Sequence, residues 1–180
     1  MTIDTRDLSL PGQKDSFRET IQSIFIKELL NPSPRLWLSF AWISDIEVID
    51  NTSRQFSHLK PDWPTTKIKL SEVLSALLNR SQIEIIIVVR KDQPSNERFL
   101  NKINQLREPY KDQLFVLEDE NVHHKNLVGD SYMISGSVNL TYFGTKVNKE
   151  HPEMTINQSR VSERITQLET EFGPRTYDAH

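Results

Sequence analysis

Apolar positions recur along the chain with two different periods, and the changes between them mark out its elements. Phe17, Ile21, Ile24, Phe25 and Leu29 share one face of a helix that starts at Asp15 or Ser16. Ser16 and Glu19 have the spacing of a capping box there, and Asn31-Pro32-Ser33-Pro34 stops the helix. Leu36 to Ile43, short and rich in aromatic residues, reads as a buried strand. Leu70, Val73, Leu74, Leu77 and Leu78 predict a helix over 70–80. Ile83 to Val89 is a nearly unbroken β-branched run, the pattern of a central strand covered on both faces. Ser95 to Leu106 is an amphipathic helix built on Phe99, Ile103 and Leu106, and Leu114 to Leu117 is a short strand. Lys125 to Leu140 reads as a hairpin in which Gly129-Asp130 forms a two-residue turn. A last helix over 161–172 is closed by Gly173-Pro174.

Helices thus alternate with strands, which predicts an α/β fold with a mixed sheet and helices on both faces. The chain of 180 residues is the size of one domain. That domain is expected over 15–180, behind a polar lead-in (1–14) whose anchors are Leu8, Leu10 and Pro11. The irregular stretch of about 50–67, with Pro61 and Pro64, is long for a compact domain, and such loops are often functional or mobile.

Composition narrows the chemistry. There is no cysteine, so disulfides, thiolate metal sites and cysteine nucleophiles are excluded. The longest apolar stretch, Ile85 to Val89, is far short of the ~20 residues that cross a bilayer. The first residues, Met1 to Asp7, carry acids and no apolar run, so no export signal is read and the cytoplasm is the expected location. A net charge of -3 gives no strong general attraction to nucleic acid, so any such contact must come from a local patch, a dimer groove or a partner protein.

The informative segment is His123-His124-Lys125-Asn126-Leu127-Val128-Gly129-Asp130, followed by Gly136-Ser137-Val138-Asn139. His123 and Lys125 sit two apart on an extended segment and project from one face, while His124 points to the other. The returning strand brings Ser137 and Asn139 beside them. An imidazole, an ammonium, a hydroxyl and an amide together suit a phosphoryl group, whose oxygens need a point charge and neutral donors.

In spacing, this segment resembles the HKD motif of the phospholipase D superfamily, H-x-K-x4-D followed by G-S-x-N. His123, Lys125 and Asp130 match the first part, and Gly136, Ser137 and Asn139 the second. Five residues separate Asp130 from Gly136, where the family typically has six, and in the family that Asp is largely structural. Family members often carry an acid shortly after the motif that bonds the nucleophilic His, and Glu153 stands in that position. The resemblance implies attack by His123 on phosphorus, a phosphohistidine, charge stabilisation by Lys125, Ser137 and Asn139, and no cofactor or metal. A second His protonates the leaving group. With a single motif per chain, that His is expected from a second protomer across a two-fold axis, making the protein a homodimer. Small members with one motif resemble bacterial nucleases, including components of antiphage defence and DNA-modification clusters. The expected function is therefore a nuclease cleaving DNA or RNA, with a helicase or another defence subunit as a possible partner. The alternatives are a non-catalytic or partner-activated subunit that holds phosphate, and, in third place, a lipid phosphodiesterase.

Other residues carry weaker signals. Glu118, Asp119, Glu120, His123 and His124 raise a metal-site reading, but acid runs next to a strand end are usually solvated and no helical ligand spacing supports ligation. Trp37 and Trp42 are expected in the core or a dimer interface, and Trp63 and His58 in the irregular loop as substrate contacts. Arg90, Lys91, Arg98, Lys102, Arg107 and Lys111 read as a solvated face or as an edge that tracks phosphates.

Overall fold

The structure, a computed structural model, describes residues 4–8, 16–141 and 151–177, with side chains as far as Gly173. In chain order its elements are β1 (Thr5–Asp7), α1 (Ser16–Leu30), β2 (Arg35–Phe40), β3 (Glu47–Asp50), β4 (Lys67–Lys69), α2 (Leu70–Arg80), β5 (Glu84–Arg90), α3 (Pro94–Arg107), a 3₁₀ turn (Glu108–Tyr110), β6 (Leu114–Asp119), β7 (Lys125–Val128), β8 (Met133–Ser135), β9 (Glu153–Thr155) and α4 (Gln158–Tyr177). Seven strands form a mixed sheet in the order β1-β9-β8-β7-β2-β5-β6. β2, β5 and β6 run parallel, and each remaining neighbour is antiparallel.

β5 explains its own sequence. Ile85, Ile87 and Val89 pack into the core under α1, α2 and α3, whereas Ile86 and Val88 pack into the core under α4. Both faces are apolar, so the strand cannot alternate with polar residues. Each such burial is worth roughly 1.5–3 kcal/mol. The apolar face read for α1 is buried throughout, from Phe17 to Leu29. α4 meets the opposite face through Val161, Leu168 and Phe172.

Several expectations change. The lead-in contains an edge strand: Thr5, Arg6 and Asp7 pair with Thr155, Met154 and Glu153, and Leu8 is buried. Backbone pairing rather than an apolar pattern holds it, so its sequence carries no strand signal. Leu10, Pro11 and Asp15 lie outside the described residues. Ser16 is itself helical, and its hydroxyl accepts from Arg6 at 3.4 Å. The turn between β7 and β8 has four residues, 129–132, closed by the Gly129 N–H on the Tyr132 carbonyl at 3.1 Å. α4 runs on through Gly173 and Pro174 to Tyr177, because fully buried Phe172 holds the helix against the sheet just before that step.

The stretch of 50–67 is packed rather than loose. β3 and β4 close its ends as a two-stranded sheet. Buried Asn51 spans the loop, donating from Nδ2 to Pro64 O at 2.9 Å and accepting from Phe56 N–H at 3.1 Å. Leu59 and Trp63 sit in the core.

The amino end of the parallel strands is pinned by a buried carboxylate. Glu28 accepts from the Ser33 N–H (2.7 Å), the Ser33 hydroxyl (2.8 Å), the Tyr132 hydroxyl (2.9 Å) and Lys27 Nζ (2.9 Å). Lys27 also donates to Asp130 at 3.0 Å, and the Asp130 N–H donates to Ser33 Oγ at 3.1 Å. Burial of Tyr132, then the Glu28 carboxylate beside it, pushes the phenol well above its usual range. Partial burial works to raise the Asp130 carboxyl, but hydrogen bonds from Lys27 and Ser33 outweigh it and hold the group below its ordinary value.

Candidate active site

Strand directions place the motif. β7 is antiparallel to β2, so Lys125, which opens β7, lies opposite Phe40, which closes β2. β8 runs back again and ends at Ser135, beside Glu153 at the start of β9. The register that pairs Leu127 with Ile134 carries Lys125 to the level of Gly136. His123, Lys125, Gly136, Ser137 and Asn139 therefore gather at the carboxyl end of the parallel strands. In open α/β sheets that edge is where ligands bind.

Each donor is oriented by one bond. The Trp42 backbone N–H donates to Asn139 Oδ1 at 3.2 Å, which turns Nδ2, the donor end of the amide, away from that bond. Ser137 Oγ accepts the His151 N–H at 3.0 Å, so its own hydroxyl proton is left to donate outward. Lys125 Nζ donates to the His123 carbonyl at 3.1 Å and keeps its other two protons. His123 and Ser137 are exposed, while Lys125 and Asn139 are half-buried. Among the described residues the His123 imidazole has no hydrogen-bond partner.

The chain after β2 supports this edge. Ile43 bridges to Leu140, and the Ser44 N–H donates to the Leu140 carbonyl at 2.9 Å. Buried Asn96 ties the same segment to β5, accepting from Ile43 N–H at 2.9 Å and donating to Ala41 O at 3.1 Å and to Arg90 O at 3.3 Å. Gly136 is required by its backbone: φ is +139°, and a Cβ there would meet the His151 carbonyl oxygen at 2.3 Å. The sequence offered no sign of Asn96, Trp42 or His151 in these roles, since each acts through contacts made far along the chain.

Two expected members stand elsewhere. Asp130 is at the other end of β7, in the network around Glu28, and does not reach the His123 edge. Its role is to bind the β7–β8 turn to α1. Glu153 is turned to the α4 face, where it pairs with Arg160 at 2.7 Å, whereas its neighbour Met154 packs on the opposite core. Lys125 alternates with Leu127 on that opposite side, so the sheet separates it from Glu153. The expected Glu153–His123 bond is thus replaced by an ion pair to Arg160.

The remaining candidates also find places. His124 turns to α4, with Nε2 at 3.2 Å from Glu171 and its ring edge-on to Phe172. The Asp119 carboxylate accepts the Asn121 N–H at 2.8 Å, and Glu120 faces Lys91 at 3.9 Å. Among the described residues no three His, Asp or Glu side chains come together as metal ligands. Trp37 is buried and Trp42 is 37% exposed. His58 and Trp63 are far from the motif. α2 starts where the Leu70 N–H meets the Ile46 carbonyl and ends at Arg80, which donates to the Leu59 carbonyl, so its length of about 16 Å separates the loop from the site end. The basic run is not one free edge, because Lys102 binds the nearly buried Asp45 at 2.7 Å. Among the described residues, no helix is long and apolar enough to cross a membrane.

No protein-family model matches the sequence, and no curated protein matches it. Solved structures do. NucT from Helicobacter pylori superposes with a TM-score of 0.60 at 12% identity, over 92% of this chain and 93% of that one. Nuc from Salmonella typhimurium, a phospholipase D family member, superposes with 0.57 at 13% identity, over 93% and 90%. The chain has a phospholipase D-like fold. The same fold is found within a larger protein, the archaeal chromatin protein TrmBL2, with a TM-score of 0.51 at 10% identity over 95% of this chain and 52% of that one. At these identities the likeness is one of fold, and the site rests on the residues themselves.

Proposed function

We propose that this phospholipase D-like chain is a phosphodiesterase, a metal-independent nuclease that cleaves DNA or RNA through a phosphohistidine in a homodimeric site. The observation that carries the reading is the grouping of three oriented donors, Lys125, Ser137 and Asn139, at the ligand-binding edge of the sheet beside exposed His123.

In the first step an imidazole nitrogen of His123 attacks phosphorus and the bond to the leaving oxygen breaks. Lys125, Ser137 and Asn139 stabilise the negative charge that accumulates on the non-bridging oxygens. The leaving oxygen takes its proton from an imidazolium on the opposite side of phosphorus, which His123 of the partner subunit supplies. Water then attacks the phosphohistidine, losing a proton to that same imidazole, and His123 is released. The exposure of His123 supports an arrangement in which a second protomer completes the cleft. Two facing motifs also combine the local cations of two chains, which offsets the net charge of -3. In the cell, a helicase or another subunit of a defence or DNA-modification complex would deliver the nucleic acid.

The test is cleavage of labelled single- and double-stranded DNA and RNA in EDTA, with His123→Ala as control. The reading expects cleavage that survives EDTA and disappears in His123→Ala. Activity abolished by EDTA and restored by a divalent ion overturns the mechanism.

One observation favours a second reading: Glu153, which would have steadied the His123 imidazole, is paired with Arg160. The chain would then be a non-catalytic or partner-activated subunit that uses the edge to hold phosphate. TrmBL2, described as a chromatin protein with a novel mode of DNA binding, has this fold. Binding of DNA without cleavage, unchanged by His123→Ala, would identify that case.

A further inference from the structure

Among the described residues, Trp42 is the large aromatic side chain that the carboxyl edge of the sheet leaves open. It is 37% exposed, whereas Trp37 and Trp63 are 1% and 4% exposed. A half-open indole beside a polar site costs solvation, and core packing does not explain it, since the core continues below through Phe40, Ala41 and Ile43. Its polar atoms are already engaged: the backbone N–H holds Asn139, and Nε1 donates to Gln93 Oε1 at 2.9 Å. What remains to the ligand is the flat apolar ring, held at both ends. The bond to Asn139 holds its backbone at the motif, and the bond to Gln93, in the link between β5 and α3, draws the ring toward the end of β5.

We infer that Trp42 is a stacking platform for one unpaired nucleobase flanking the phosphodiester held at Lys125, Ser137 and Asn139, so that the substrate class of this site is single-stranded nucleic acid. The inference rests on the phosphodiesterase reading given above. A base in a duplex has both faces covered by its neighbours and offers none to an indole, whereas an unpaired base offers one. Stacking of this kind tolerates any sequence because every base has a π-face. It also provides affinity that does not depend on charge, which suits a chain of net charge -3 whose Lys102 is bound to Asp45. Gln93 is a positioning residue in this arrangement, since it fixes the ring without touching the base.

The experiment has a binding arm and a kinetic arm. In the first, oligothymidylate is titrated into the intact His123→Ala protein while tryptophan fluorescence is read, with a second protein carrying Trp42→Phe as well. Quenching that disappears with Trp42→Phe is expected, because the other two indoles are buried. In the second arm, Trp42→Ala is expected to raise KM on a single-stranded oligonucleotide by about 5- to 100-fold with kcat little changed, and Trp42→Phe to restore most of it. An oligonucleotide with abasic positions around the cleavage site should remove the difference between wild type and Trp42→Ala. Cleavage with an unchanged KM in Trp42→Ala, and no quenching, overturns the stacking role while leaving the nuclease reading in place. Quenching without any cleavage by the wild type upholds the stacking role and defeats the nuclease reading. A Trp42→Ala protein that sediments at half the wild-type mass would show that the indole is covered by a second copy instead, and would overturn the proposal.

Discussion

The backbone N–H of Trp42 and the side-chain oxygen of Asn139 are 3.2 Å apart, and that bond decides which end of the amide faces the substrate edge. Asn139→Asp keeps an acceptor for Trp42 but replaces the outward donor with an oxygen. Its fold should be intact and its kcat for phosphodiester cleavage lower by ~100-fold or more, the effect of losing one preorganised donor. Circular dichroism and single-turnover rates check the two halves of that statement.

Lys125→Ala should act on the rate more than on binding, because its charge matters most as phosphorus gains negative oxygens. A fall in kcat of ~100-fold or more, with a much smaller change in KM, is expected. A variant as active as wild type would assign the residue a purely structural part.

Gly136→Ala tests the turn that places Ser137. A methyl group there would meet the His151 carbonyl at 2.3 Å while the backbone stays at positive φ. The expected result is loss of activity and of a few kcal/mol of stability, at the strained end of backbone substitutions. Denaturant unfolding and cleavage assays on the same sample measure both.

Glu28→Ala removes a carboxylate that accepts from Ser33, Tyr132 and Lys27 at 0% exposure. Breaking a buried charged network usually costs about 3–5 kcal/mol, so the variant should unfold at much lower denaturant concentration. Asp130→Asn, at the half-exposed end of the same network, should cost ~1 kcal/mol or less and leave kcat per folded molecule unchanged.

The pH dependence of stability follows from the same cluster. The Asp130 carboxyl lies below its ordinary value of 3.8 in the folded protein, against partial burial, because Lys27 and Ser33 bond it. Its contribution is present above pH ~4 and is lost as pH falls through the lower folded value. Tyr132 shifts the other way, so its contribution is complete below pH ~10 and is lost as the pH rises further. The difference in unfolding free energy between wild type and Asp130→Asn, followed from pH 6 to pH 2, should shrink toward zero.

The sequence by itself determined the elements whose apolar residues sit at regular intervals and the local frame of the motif. The helical face from Phe17 to Leu29 and the unbroken run from Ile85 to Val89 could be read because burial imposes a period on neighbours in the chain. The spacing of His123, Lys125, Ser137 and Asn139 was legible for the same reason, since a strand and its returning partner are local. The tertiary structure decided what depends on distant partners. It made a strand of Thr5–Asp7 through backbone bonds to residues about 150 positions away, which leave no side-chain pattern. It gave Asp130 to Lys27 and Glu153 to Arg160, choices set by which face and which end of the sheet each carboxylate occupies. It buried Trp63, which stands between Asp62 and Pro64, and left Trp42 open, although Trp42 stands between the apolar Ala41 and Ile43. A side chain's neighbours in space fix its exposure and its hydrogen bonds, and for these residues those neighbours come from elements that the local sequence does not name.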